Sequence, residues 1–391
     1  MTTVVRNERR KNPALNVFIQ LLRIAVGVLF IFSGVVKAND PMGLANKMTE
    51  FFEPAVWNMP YMVPYVKTMS ILMIGFEIIA GVALLLGFAF RVFSILLLLL
   101  NIFFTFLTAY VYYWDVIKHS AKVRECGCFG DCIKITNSET FWKDVALLAA
   151  SIILVICWRY VKPLLPKYPN TAVFVLSVFF AFGIQWWVLE HLPVYDCMPY
   201  KIGNNIWEKK QRPSWGRDAV ISSMFTYKNE KTNEVKEFDA NNLPWEDTTW
   251  VYVDRKDKVI QEAIGEPEIK DFVLTSYEGA DNTEAILKDP GYNYLLFVKS
   301  TAKARTDKME TLKALTEEAA KKGIPFYILS SDTKENTIAW KDKHGLKGEL
   351  YLLDGTANKT ALRTDPGLIL IKAGTIVGKW SFRDYPAHTP Q

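Results

Sequence analysis

Apolar residues run in five blocks along the first half of the chain: Ala14–Lys37, Ser70–Phe90, Val92–Trp114, Phe141–Trp158 and Thr171–His191. Each block holds about 18–24 residues, and at about 1.5 Å per residue that length crosses a hydrocarbon core of about 30 Å. Short polar turns separate the blocks. The pattern therefore predicts five membrane-spanning helices rather than buried helices of a soluble core. Between the first two blocks, Asp40–Tyr65 carries Phe51, Phe52, Trp57 and Tyr61 among polar residues and reads as an amphipathic cover on the outer leaflet.

The second half has a different rhythm. Leu192–Trp215 contains Pro193, Pro199 and Pro213 and reads as an extended connector. From Arg217 to Glu262, alternating runs such as Ser222–Tyr227 and Thr248–Asp254 predict strands, with a turn at Asn229–Asn233. From Pro267 onward strands and helices alternate. Ile269–Leu274 reads as a short strand and Tyr292–Val298 as a continuous apolar strand covered on both faces. Thr306–Gly323 has Met309, Leu312, Leu315 and Ala319 at helical spacing, with Gly323 as its stop. Pro325–Ser330 is the next strand and Asn336–His344 the next helix. Gly367–Lys372 and Ile376–Trp380 form a hairpin across Ala373-Gly374.

Charge orients the spans. Arg6, Arg9, Arg10 and Lys11 precede the first block; Arg91 sits between the second and third; Arg159, Lys162 and Lys167 lie between the fourth and fifth. All fall on one side if the N-terminus is cytoplasmic. Five spans then put the C-terminal half and the loop Asp115–Thr140 outside. The first block lacks a small-residue cleavage site and reads as a retained signal anchor. The net charge of +5 is accounted for largely by these topogenic residues and makes no case for nucleic acid.

Chemistry concentrates in the outer loop. Cys126, Cys128 and Cys132 stand within seven residues, and Cys197 follows the fifth block. These four cysteines face an oxidising compartment, while Cys157 lies near the cytoplasmic end of a span. Three uses are open. Cys126 and Cys128 are the redox-active candidates, with Cys132 and Cys197 as a second pair, helped by positive charge from Lys122 and Arg124. The cysteines equally suit structural disulfides that staple the outer loops. A metal site is the weakest fit, because CxC lacks the usual ligand spacing. Within the membrane, Arg23, Glu77 and Asn101 fall at similar depths, counted from the inner ends of their blocks. They read as a polar cluster in which Arg23 pairs with Glu77.

The first four blocks resemble the DoxX/MauE-like membrane proteins. The likeness lies in Leu22-Arg23, Gly27, Phe32-Ser33-Gly34 and Lys37, in Glu77, Gly81 and Leu86-Gly87, and above all in Cys126-Gly127-Cys128-Phe129-Gly130. The resemblance implies a four-helix membrane unit tied to thiol or electron-transfer chemistry outside the membrane. The added fifth span and soluble extension look like a version found in Bacteroidota. From about residue 263, the β-α-β-α-β-β order, the Pro267–Phe272 opening and Asp365-Pro366-Gly367 resemble a thioredoxin-like domain of the redoxin type, in which that proline is cis. The resemblance places active cysteines after the central strand, where this chain has Lys299-Ser300-Thr301-Ala302-Lys303, and no cysteine follows Cys197.

The fold class expected is thus an α-helical membrane bundle followed by an α/β thioredoxin-like domain with a small β subdomain. The expected divisions are a tail (1–13), a four-helix membrane domain (14–160), a fifth span (161–191), a connector with the β subdomain (192–262) and the thioredoxin-like domain (263–391). The function expected is that of an inner-membrane thiol–disulfide or electron-transfer accessory protein. Ser300, Asp365 and Pro366 would grip a periplasmic or envelope protein partner. Electrons would pass to or from a membrane quinone, for which no residue pattern specifies a site. The alternative is a non-enzymatic scaffold in the bilayer whose cysteines are staples.

Overall fold

The computed structural model describes residues 13–117, 130, 132–133, 135–217, 220–240, 242–245, 247–261 and 264–390. Its membrane half contains α1 (Pro13–Ala38), the short α2 (Pro41–Phe52), α3 (Val66–Leu86), α4 (Phe90–Tyr112), α5 (Asn137–Ile156) and α6 (Lys167–Glu190). The ends follow from capping chemistry. Asp40 accepts from Gly43 N–H with Pro41 at the first helical position, starting α2. Thr136 and Glu139 close a capping box on α5. Gly87, at φ 66°, ends α3 in the left-handed region.

Four segments among the described residues are long and apolar enough to cross a membrane: Pro13–Ala38, Pro60–Leu86, Phe90–Ile117 and Lys167–Glu190. The expected span at Phe141–Trp158 differs. Its helix, α5, starts at Asn137 and carries Glu139, Lys143 and Asp144 in its first two turns. It still runs the length of the bundle. Asn137 donates to Asp115 just beyond α4, and past its other end the carbonyls of Tyr160 and Lys162 accept from Gln20 and Arg23. The N-terminal part of α1, the α3–α4 turn and the α5–α6 link therefore share one end, where Leu164 N–H also meets the Leu86 carbonyl. The Asp40–Tyr65 segment folds as α2 and a 3₁₀ turn against the bundle, and Ser70 donates to the Pro41 carbonyl.

Glycines set how closely α1 and α3 meet. A Cβ at Gly81 would lie 2.8 Å from the Gly27 carbonyl oxygen, and one at Gly34 would lie 2.6 Å from Ile78 Cγ1. Such approach replaces the hydrophobic drive that helices lack in lipid with close packing.

The connector is not a free linker. It contains α7 (Ile206–Lys210), and Tyr200 and Ile206 are fully buried in the core of the C-terminal domain. Next, β1 (Val220–Asn229) pairs antiparallel with both β2 (Val235–Asp239) and β3 (Trp250–Gln261). This three-stranded sheet is separate from the larger one.

The C-terminal domain comprises β4 (Thr275–Ser276), α8 (Thr283–Lys288), β5 (Tyr292–Val298), α9 (Met309–Lys322), β6 (Phe326–Ser330), α10 (Lys334–Lys343), β7 (Glu349–Leu352), α11 (Gly355–Ala361), β8 (Gly367–Lys372) and β9 (Thr375–Ser381). Its sheet order is β4-β7-β6-β5-β8-β9. β5 lies between parallel β6 and antiparallel β8, and β8 turns back into β9. With the cis Asp365–Pro366 bond entering β8, this is the thioredoxin arrangement. The alternation along β5 serves two cores: Tyr294, Leu296 and Val298 face α9 and α10, while Leu295 and Phe297 face α8, α11 and the connector. The strand expected at Ile269–Leu274 does not form. Asp271 adopts φ 56°, which breaks the extended run, although Ile269, Phe272 and Leu274 are still buried as expected of core residues.

The seam yields a test. Gly81→Val in α3 should cost about 1–3 kcal/mol through overpacking and lower the melting temperature in detergent. Gly183→Ala on α6, where nothing lies within 4 Å of the added atom, should leave it nearly unchanged.

Candidate functional site

The C-terminal turn of α1 is a junction. A Cβ at Gly130, in the cysteine loop, would lie 4.0 Å from the Val36 carbonyl. The Asn39 amide pairs both ways with the Tyr195 backbone, at 2.7 and 3.0 Å. Asp40 accepts from Arg363 of the thioredoxin-like domain at 2.7 Å. Loop, connector and soluble domain thus converge on the five residues Val36–Asp40. Here Cys132 and Cys197 form a disulfide, with Cα atoms 4.9 Å apart. Cys126 and Cys128 lie outside the described residues. Among the described residues no three His, Cys, Asp or Glu side chains gather as a metal site. A disulfide also leaves Cys132 and Cys197 no thiolate to give a metal. Cys157 carries a free thiol and packs against the inner part of the bundle.

Directly below the junction, the expected Arg23–Glu77 pair does not form. Lys37 holds both Glu77 oxygens, at 2.6 and 2.7 Å, and Ser33 donates to Glu77 at 3.2 Å. Both partners are almost fully buried. The reason is the lean of helical side chains toward the N-terminus of their helix. Gly34 faces Glu77 across the seam. Lys37, one turn above Gly34, leans back to that level. Arg23, three turns below, leans away and reaches the Lys162 carbonyl instead, at 3.0 Å. Asn101 donates to Ser151 at 2.6 Å. The three expected residues therefore make three separate contacts. Glu77 and Asn101 nevertheless line one small polar cavity with Lys37, Lys143 and Asp144. Its volume is about 20 Å³, room for a single water. Lys37 was legible as the end of an apolar block and in the family resemblance, but not as the partner of Glu77. Asp144, which pairs with Lys143 at 2.7 Å, was hidden inside another.

Phe104 sits 5.1 Å under the Lys37 ammonium and separates this polar cavity from an apolar one. The second cavity is lined by Phe51, Phe52, Trp57, Met69 and Phe103 and measures about 40 Å³.

The thioredoxin-like edge expected to grip a partner is built by carboxylates. Asp365 accepts from the backbone N–H of Lys299 at 2.9 Å and of Ser300 at 3.3 Å. Asp332 accepts from Thr301 N–H and Oγ1, both at 2.6 Å. Ser300, Asp365 and Pro366 are brought together in this way. Burial raises the Asp365 pKa, partly offset by those N–H bonds and by the Lys299 charge. Burial also pushes the Lys299 pKa down to about 8, against the pull of Asp365. Nothing in the linear pattern distinguished Lys299 from a solvated loop lysine.

The Lys37–Glu77 pair can be weighed by removing one side. Lys37→Met leaves a buried carboxylate uncompensated and should cost about 3–5 kcal/mol. Lys37→Met/Glu77→Met should recover most of that loss, read as unfolding midpoints in detergent.

Residues 15–158 match the model of the family described as methylamine utilisation protein MauE, and residues 222–262 match a domain of unknown function. No curated protein matches the chain. A solved structure of the Xanthomonas campestris bacterioferritin comigratory protein, described for its alkyl peroxide reduction activity, aligns over 29% of this chain and 81% of that one. The identity is 16% and the TM-score 0.22. The fold assignment rests on the strand order and cis-Pro366 and not on that likeness. Residues 15–158 of this protein are MauE-like, and they are joined through α6 and the connector to a thioredoxin-like domain that has no cysteine of its own.

Proposed function

We propose that this chain is an inner-membrane accessory protein of thiol–disulfide exchange in the cell envelope. Its N-terminus is cytoplasmic, and its cysteine loop and thioredoxin-like domain lie on the periplasmic side. Cys126 and Cys128 exchange disulfides with an envelope protein held by the domain above the loop, and Cys132 and Cys197 are a second pair. The observation that carries this reading is the Cys132–Cys197 disulfide at the junction of loop, connector and soluble domain. Disulfides persist on the oxidising side of the membrane, and exchange needs sulfurs within reach of a docked substrate. The MauE-like membrane half supports the same reading.

The same disulfide favours a second reading, a scaffold whose staple joins positions 65 residues apart. The two part on the CxC motif. Cys126→Ser/Cys128→Ser should lower the oxidised fraction of envelope-protein thiols in intact cells, read by differential alkylation and mass spectrometry. Unchanged partner thiols and full function in that variant would leave only the scaffold.

A further inference from the structure

We propose that Cys132–Cys197 is the redox centre served by the thioredoxin-like domain. The sulfurs come from the membrane loop and the connector; the cis-Pro366 edge and its cations come from the domain. The substrate is a dithiol segment of an envelope protein. This rests on the thiol–disulfide reading above and names its site.

Three observations converge. First, both neighbours of Cys197 are held by the domain. Asp196 accepts from Lys379 at 2.7 Å, and Met198 Sδ lies 3.4 Å from Arg363 Nη2. Second, the edge is turned toward the bundle. Arg363 reaches Asp40 at the start of α2, and Arg305 reaches Glu190 at the end of α6, at 3.2 Å. Arg305 N–H also bonds the Asp365 carbonyl, at 2.9 Å. The loop 299–301 and Pro366 are fixed between these two anchors, so this edge lies against the membrane half, where Cys132–Cys197 joins the loop to the connector. Third, the Lys299 ammonium makes no ion pair among the described residues. The charges around it are Asp365, Arg363, Asp40 and Lys359. Asp40 and Arg363 are the same residues that meet beside Cys197. The two cysteines are themselves partly exposed.

A cation at this place stabilises thiolate over thiol. A substrate thiolate attacks one sulfur of the disulfide. A mixed disulfide forms, and the other cysteine leaves as a thiolate beside Lys299 and Arg363. The second substrate thiol, deprotonated, attacks the mixed disulfide and releases the remaining cysteine. Two electrons pass from the substrate to Cys132–Cys197. The two protons lost by the substrate thiols are balanced by the two taken up as the new thiolates protonate. The substrate leaves as a disulfide.

The test uses the full-length protein in detergent, equilibrated in glutathione redox buffers, with Cys132–Cys197 read by differential alkylation and mass spectrometry. Lys299→Met should lower the reduced-to-oxidised ratio about two- to fivefold at a given buffer, the range of a partly exposed charge interaction. It should also move the pH profile of Cys197 alkylation in the reduced protein to higher pH. Lys299→Arg should restore both. Asp40, Asp365, Arg363 and Lys359 are unchanged in these variants, so the shift reports the removed charge. If both readouts match wild type in Lys299→Met, or if the wild-type disulfide stays oxidised across all buffers, the proposal falls. Loss of partner oxidation in Cys126→Ser/Cys128→Ser without any Lys299 effect removes this site but keeps the general reading. A Lys299 effect with unchanged partner thiols overturns the general reading, and this site, which rests on it, falls with it.

Discussion

The close approach of α1 and α3 at Gly27, Gly34 and Gly81 sets the depth of the buried charge pair in this bundle. Once that seam is locked, Glu77 lies opposite Gly34, and only a cation leaning back from the turn above can reach it. Lys37 is that cation. An unpaired carboxylate there would cost several kcal/mol, so the pair in turn fixes the register of the two helices. The same turn of α1 continues into Val36, Asn39 and Asp40, which receive the loop, the connector and the soluble domain. A packing constraint between small residues thus fixes where the outer apparatus stands.

The attachment of the soluble domain combines apolar and ionic contacts of unequal weight. Arg305–Glu190, Arg383–Glu190 and His191–Asp384 gather at the end of α6. Exposed ion pairs are worth about 0–1 kcal/mol each. Tyr200 and Ile206 are 1% and 0% exposed in the domain core, and a fully buried large side chain contributes about 1.5–3 kcal/mol. The connector is therefore held chiefly by its apolar residues, and the ion pairs set orientation. Cys197, seven residues after the end of α6, is carried on a segment belonging to the domain rather than on a tether.

This arrangement separates sulfur from scaffold. The thioredoxin-like domain keeps the cis-proline edge, with Asp365 and Asp332 accepting from the backbone N–H groups of Lys299, Ser300 and Thr301 in the loop after β5, none of them a cysteine. The membrane half keeps the cysteines. Joining them by Arg363–Asp40, both partners largely buried, places one part over the other.

Much of this was legible in the chain because the signals were local. Apolar length marked the membrane helices, Gly323 marked the end of α9, and the run Tyr292–Val298 marked a strand covered on both faces. Asp365-Pro366-Gly367 marked the cis-proline turn. Where the reading failed, the deciding fact was relative. Counting residues from the ends of apolar blocks put Arg23 level with Glu77, because it assumed the helices start flush. The glycine seam offsets them, and side-chain lean does the rest. A short strand was expected at Ile269–Leu274, but Asp271 turns the backbone. Composition and spacing specified which segments cross the bundle and which residues are greasy or reactive. Which buried charges meet, that Cys132 takes Cys197, and that Arg363 reaches Asp40 were settled only by packing between segments far apart in the chain, since such contacts depend on helix stagger and domain placement that no local pattern encodes.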